Sequence, residues 1–340
     1  MNQINPSKIM QVGLGFWASK TLLTAVNLNL FTHLAGGEKS GKEIQKLLGL
    51  HERSLYDFLD TLVALQFLKR KGLKETSIYS NTEETALFLD KNKLSYMGGM
   101  LEMANNRLYP FWNNLEGALK TGEPQNESQS GEASMFEAIY ANQETLKEFL
   151  HAMGGIQAGN FDMFAHNYDF SNIQTHCDIG GAGGNLSVHI AKNNAHMNCL
   201  SFDLPPVAPI ANENFKQLGL GDRVKAVAGD FFADNLPNAE LITMCNVLHD
   251  WSLKDKKMLI RKAFDALPEN GTLVVIENVI DNDRNTNAFG LMMSLNMLIE
   301  TEEGFDYSFS DMESWAKEAG FKTVSSMPLT GPTSAVIAVK

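Results

Sequence analysis

The sequence predicts an α/β chain. A doubly wound, mostly parallel seven-stranded sheet with an antiparallel last strand follows a helical, winged-helix-like N-terminal domain. Three observations predict this. After about residue 173, short β-rich apolar runs alternate with helical stretches, the pattern of parallel βαβ units. The last two runs, "TVSSMPL" and "SAVIAVK", are separated only by "TGPT", which suits a hairpin rather than a crossover. The first hundred residues instead carry apolar side chains at helical spacing.

In chain order, residues 15–34 place Leu22, Leu23, Val26, Leu30 and Leu34 on one helical face, and Gly36 and Gly37 then break the pattern. "SGKEIQKLLGL" and "ERSLYDFLDTLVALQFLKRKG" read as two amphipathic helices, and "LKRKGLKETSIYSNT" as a two-stranded wing. Residues 92–120 and 132–165 are again helical in pattern, rich in Met and aromatics. Between them the polar segment 121–134, "TGEPQNESQSGEAS", reads as a surface loop. The strands expected next are "THCDIGG", "NCLSFDL", "RVKAVAGDFF", "LITMCNVL" and "GTLVVIENVI", with the hairpin last. The expected division is 1–100 for the helical domain and 101–340 for the sheet domain, with 101–170 as a helical cover.

The 340 residues are 44% hydrophobic and 20% charged, enough for a sizeable core. Lys and Arg number 28 against 40 Asp and Glu, a net charge of −12. Such a surface repels nucleic acid and anionic lipid. The one dense basic cluster, "LKRKGLK", leaves a winged-helix DNA-binding regulator as a competing reading from another class. Cys177, Cys199 and Cys245 sit in or beside apolar runs without metal-ligand spacing, so they read as reduced core thiols. No signal peptide and no run of about 18 apolar residues is seen, and the expectation is a cytoplasmic protein.

"CDIGGAGGN", 177–185, is a glycine-rich turn between a strand and a helix. It lets a ligand approach the backbone closely. A dinucleotide G-x-G-x-x-G started at Gly181 would need glycine where Leu186 stands. Asp178, just before the loop, would oppose a pyrophosphate and favour a cationic group. An NAD-dependent oxidoreductase is therefore disfavoured. The next two strand ends, "FDLP" and "AGDFF", offer Asp203 with Leu204, then Asp230 with Phe231. An acid at the second strand end suits ribose hydroxyls. Asp230 and Phe231 suit an adenine amino group and ring.

The series "DIGGAGG", "FDLP", "GDFF", "NVLHDWS", "ENV" and "AGF" resembles the S-adenosylmethionine (SAM)-dependent O-methyltransferases of the plant caffeate and animal acetylserotonin type, with their bacterial small-molecule branch. The resemblance covers nearly the whole chain. It implies a Rossmann-like sheet and an N-terminal domain that forms a homodimer. It implies SAM as methyl donor with S-adenosylhomocysteine as product, no metal, and a small acceptor whose hydroxyl, on an aromatic metabolite, is methylated. A small thiol or thioether acceptor is the alternative. Gly180, Gly181 and Gly183 would line the methionine part, with Asp178 beside them. Asp203 would bind the ribose, and Asp230 and Phe231 the adenine, with Trp251 as a wall. His249 would be the general base, flanked by Glu277 and Asp306. This sequence departs from the family at Ala182, where glycine is usual. It departs at Cys245, which stands where plant enzymes place a basic residue near the adenosine, and at Asp306, where Glu is commoner. Asp250 reads as a residue shaping the next helix start.

The acceptor site should come from helices over the strand ends. Candidates are Trp112, Phe149, Met153, Met292, Met293 and Asn296, because flexible thioethers and rings suit flat apolar ligands.

Overall fold

A computed structural model describes residues 4–93, 95–127, 140 and 142–340. Within 144–156, the side chains of 144, 145, 148, 149, 151–153 and 156 are outside the described set. The acceptor candidates Phe149 and Met153 therefore lie outside the described residues, as does 128–134 of the polar segment. The chain divides into two compact units, Met1–Pro110 and Phe111–Lys340.

The first unit holds helices α1 (Ser7–Gly13), α2 (Gly15–Asn27), α3 (Leu30–Ala35), α4 (Gly41–Leu48), α5 (Leu55–Ala64), α6 (Glu83–Phe88) and α7 (Gly98–Met103). Strands β1 (Lys39–Ser40), β2 (Leu68–Lys71) and β3 (Ile78–Asn81) form an antiparallel sheet in the order β1-β3-β2. The expected wing is β2–β3. A two-residue third strand, too short to carry a period, joins it. The helix expected over 15–34 breaks at Asn29, whose φ of 56° is left-handed, a conformation that Asn tolerates. A capping box between Ser40 and Glu43 starts α4. Leu30, Phe31, Ile44, Leu59, Leu62 and Tyr79 build the core. In contrast, α1 buries nothing. Arg70 pairs with Asp60 at 2.7 Å and Lys71 with Glu38 at 2.6 Å, so acids neutralise much of the basic cluster.

The second unit is built on a seven-stranded sheet of order β6-β5-β4-β7-β8-β10-β9. The strands are β4 (Thr175–Ile179), β5 (Asn198–Asp203), β6 (Val224–Ala228), β7 (Leu241–Cys245), β8 (Thr272–Glu277), β9 (Thr323–Pro328) and β10 (Ser334–Val339). Its helices are α8 (Leu115–Thr121), α9 (Gln143–Asn167), α10 (Asn185–Asn193), α11 (Val207–Gln217), α12 (Leu253–Ala266), α13 (Ala288–Glu300) and α14 (Phe309–Ala319). Pairings from β6 to β8 are parallel, and β10 runs antiparallel to both β8 and β9.

The central strands read as continuous apolar runs because both their faces are covered. Along β8, Leu273 and Val275 join the core with α12 and α14, whereas Val274 and Ile276 join the core with α9, α10 and α11. Side chains alternate across a pleated strand, so each residue feeds one layer or the other. The strand order reverses between the parallel β4 and β7: β4 leads to β5 on one side, β7 to β8 on the other. A crevice opens at such a switch point, beyond the carboxyl ends of the strands.

Candidate active site

The glycine turn after β4 forms one wall of that crevice. Gly180 and Gly184 have φ of 67° and 73°, a region where a side chain is strained. A Cβ on Gly180 would lie 2.7 Å from Val247, in the loop after β7, and one on Gly184 would lie 2.1 Å from the Phe215 ring. A Cβ on Gly181 would meet the Ser201 hydroxyl at 2.4 Å. The turn thus lies tight against its floor. At Gly183 the same test meets nothing closer than 3.3 Å. Ala182 also sits in the left-handed region, at φ 49°.

Asp178 lies under this turn, not in the open crevice. It is 3% exposed, and the Thr243 hydroxyl donates to its Oδ1 at 2.6 Å. Since Thr243 spends its proton there, His176 Nε2, 2.8 Å from the Thr243 oxygen, carries the hydrogen of that contact. Burial pushes the Asp178 carboxyl up to about 7 and the His176 imidazole down to about 3.

Asp203 ends β5 with both carboxylate oxygens engaged. Oδ2 accepts the Ala182 N–H at 2.8 Å, and Oδ1 accepts the Leu204 N–H at 2.7 Å. The Tyr140 hydroxyl donates to Oδ1 at 3.4 Å. Burial, only partly offset by these donors, raises the Asp203 carboxyl. Leu204 is 39% exposed beside it.

Asp230 closes a tight turn by accepting the Phe232 N–H at 2.8 Å, while its own N–H donates to Asp234 at 2.8 Å. Lys262 reaches over from α12 and donates to the carbonyls of Phe231, Phe232 and Asp234 at 2.5, 3.2 and 2.5 Å. Phe231, Phe232 and Trp251 then make an edge-to-face cluster, with Trp251 5.8 Å from Phe231 and 4.6 Å from Phe232. Phe232 and Lys262 were not legible as site residues. Cys245, the last residue of β7, packs on the α9–α11 side of the sheet. Burial, then Asp178 and Glu277, raise its thiol well above the ordinary range, so it stays protonated.

His249 lies in a short turn, Leu248–Asp250, at the carboxyl side of β7. It is 7% exposed. Asp306 faces Nδ1 at 3.3 Å, and Asp250 faces Nε2 at 3.5 Å. The helix-start role expected of Asp250 belongs to Ser252, which caps α12 by accepting the Asp255 N–H. Glu277 does not meet the ring. Its Oε1 accepts the backbone N–H groups of Val247, Leu248 and His249 at 3.0, 2.8 and 3.3 Å, and so holds the turn. For His249, burial favours the neutral ring and is the largest single influence. Asp250, Asp306 and Glu277 together outweigh it and raise the imidazole to about 10. Asp250 rises to about 6, mainly through burial.

Over the strand ends, α13 packs on the His249 turn, and Ser294 Oγ accepts the Asp306 N–H at 3.1 Å. The Trp112 indole donates to Asn296 Oδ1 at 2.8 Å, which joins two acceptor candidates. Met292 is 50% exposed and Met293 half-buried, whereas Met297 packs in the interior.

Comparison with known proteins adds to this geometry. Residues 112–322 match an O-methyltransferase domain, and residues 10–91 match an O-methyltransferase dimerisation domain. The tetracenomycin polyketide synthesis 8-O-methyl transferase TcmO of Streptomyces glaucescens is 36% identical over 98% of this chain and 97% of its own. The S-adenosyl-L-methionine-dependent methyl transferase PigF of a Serratia species is 29% identical over 96% of this chain and 94% of its own. The solved structure of human N-acetylserotonin methyltransferase in complex with SAM covers 100% of this chain and 99% of that one, with a TM-score of 0.90 at 26% identity.

Proposed function

Because the chain belongs to the SAM-dependent O-methyltransferase family, we propose that it methylates a hydroxyl of a small aromatic acceptor with His249 as general base. The observation that carries this reading is a buried imidazole with a carboxylate at each ring nitrogen, at the switch point beside the glycine turn. SAM supplies the methyl group on a sulfonium sulfur and leaves as S-adenosylhomocysteine.

The residues present fit this donor. The turn backbone at Gly183 is less crowded than at Gly180, Gly181 and Gly184, the Asp203 carboxylate suits a diol, and the edge-to-face rings of Phe231, Phe232 and Trp251 offer an aromatic wall. Gly180, Gly181 and Gly183 would bring backbone against the methionine part. Leu204, Asp230 and Cys245 would border the adenosine. Asp178 would act from beneath, as a buried acid that favours a cationic group above the turn.

Chemically, the chain aligns and deprotonates. The Asp306 carboxylate, 3.3 Å from Nδ1, favours the tautomer with its hydrogen there, which leaves Nε2 to take the acceptor's proton. The imidazolium then formed lies between Asp306 and Asp250, so its charge is compensated on both sides. Glu277 fixes the turn by three backbone bonds. Holding acceptor and methyl in line supplies roughly 7–11 kcal/mol of the barrier. Trp112 and Asn296, with Phe149, Met153, Met292 and Met293, would shape the acceptor site, inside a catalytic domain of 101–340.

Residues 1–100 would form the dimerisation domain. On α1 and the start of α2, Ile9, Val12, Phe16 and Trp17 are 74%, 75%, 51% and 61% exposed, a patch that suits a second copy. Light scattering tests the homodimer, and a monomer at micromolar concentration would count against it. Calorimetry with SAM, followed by turnover of a panel of phenols, tests the activity. A folded sample that binds no SAM would sink the reading.

A further inference from the structure

Lys256, in the first turn of α12, is fully buried. A lysine is rarely so unless paired. Its ammonium donates to the Trp251 carbonyl, just after the His249 turn. It also lies 3.6 Å from the centre of the Phe305 ring, with the Tyr307 ring at 6.0 Å.

The charges that face it come from every neighbouring element. Asp250 is on the His249 turn, Asp255 on its own helix, Glu277 at the end of β8, and Asp306 on the segment before α14. Three of these, Asp250, Asp306 and Glu277, are the acids that act on His249. Tyr307 faces Glu277. Three buried carboxylates around one imidazole favour its protonated form, which cannot take a proton. A base at this position needs a counter-charge that is not itself beside the ring.

We propose that Lys256 is a positioning residue: its ammonium holds the His249 turn through the Trp251 carbonyl and offsets Asp250, Glu277 and Asp306, so that His249 can release its proton. The inference rests on His249 as the base. Burial is the largest influence on Lys256 and lowers it to about 8, a sign that the four acids do not fully repay its desolvation.

The test compares kcat/KM against pH for the wild type, Lys256→Met, Lys256→Arg and His249→Ala. Removing the ammonium lets the acids hold the His249 proton more tightly. Below about pH 8, where Lys256 carries its charge, the acidic limb of Lys256→Met should therefore lie about tenfold lower in kcat/KM than that of the wild type, equivalent to about one pH unit, and the two profiles should meet at higher pH. Lys256→Arg should restore the limb. An unmoved limb in a folded Lys256→Met protein overturns the proposal while leaving His249 as base. Full activity in His249→Ala overturns the underlying reading instead. Thermal melts cover the case in which Lys256→Met folds poorly. Adding Asp250→Asn removes one unbalanced carboxylate that anchors no backbone and should raise the Tm above that of Lys256→Met alone. No gain in the double variant also overturns the proposal.

Discussion

His249 Nδ1 and the Asp306 carboxylate face each other at 3.3 Å with both side chains buried. Removing the ring should remove the base and leave the donor site alone. His249→Ala should lower kcat by about 10²–10⁴-fold toward a phenol, with SAM affinity unchanged in calorimetry. An equal loss of SAM affinity would show that the ring serves binding.

The same pair sets a pH dependence. The surrounding acids raise His249 from an ordinary 6.5 to about 10, and only its neutral form accepts a proton. The kcat/KM of the wild type should therefore climb with pH through neutrality into the alkaline range. Stability runs the other way. The folded protein holds this proton more tightly than the unfolded chain, so the contribution is complete below pH 6.5 and is lost as pH rises toward about 10. The melting temperature of His249→Gln should fall less steeply than that of wild type across that window.

Lys262 carries three carbonyls of the loop that presents Phe231. Lys262→Met should loosen that loop and weaken SAM binding by about tenfold, or ~1.4 kcal/mol. Turnover at saturating SAM should hold within about twofold. Unchanged SAM affinity would make the lysine a mere surface tie.

Trp112→Phe removes the indole donor from Asn296 but keeps an aromatic ring. The KM for an accepted phenol should rise about three- to tenfold, in line with one lost hydrogen bond. Steady-state kinetics at saturating SAM measures this, and an effect confined to SAM would refute the assignment.

Ala182 occupies a left-handed conformation, at φ 49°, that glycine adopts without strain. Ala182→Gly relieves that strain, offset by a freer unfolded chain. A net gain of up to about 1 kcal/mol in urea unfolding is expected. A loss would show that the methyl group's packing near Leu146, Leu150 and Val207 outweighs the strain.

Much of this arrangement was legible in the sequence, because strand ends are local features. Asp203, Asp230 and His249 each follow an apolar run that must be a buried strand, and a buried strand in a doubly wound sheet ends at the crevice. Asp306 comes from the family resemblance, which sets an acid before the helix ending in "AGF". Features that depend on distant packing were not legible. Glu277 looks like a ring partner in sequence, yet its carboxylate meets three backbone N–H groups, because β8 and the turn after β7 lie side by side. Asp250 looks like a cap until Ser252 takes that role. Lys256 lies in "LKDKK", which reads as a solvated helix face, and only the fold turns one of those lysines inward. The break at Asn29 depends on a single φ value that apolar spacing does not encode.

The position of β10 has a consequence for how the protein is made. Residues 334–339 leave the ribosome after β8 and β9, yet they pair on one side with β8 and on the other with β9. Until they emerge, β8 has an open edge along a strand whose six residues are all buried in the finished fold. A nascent chain in this state carries an unpaired apolar edge, the feature most prone to pairing with the wrong chain. Slow synthesis or stalling just before residue 334 should therefore send this protein toward aggregation or chaperone capture.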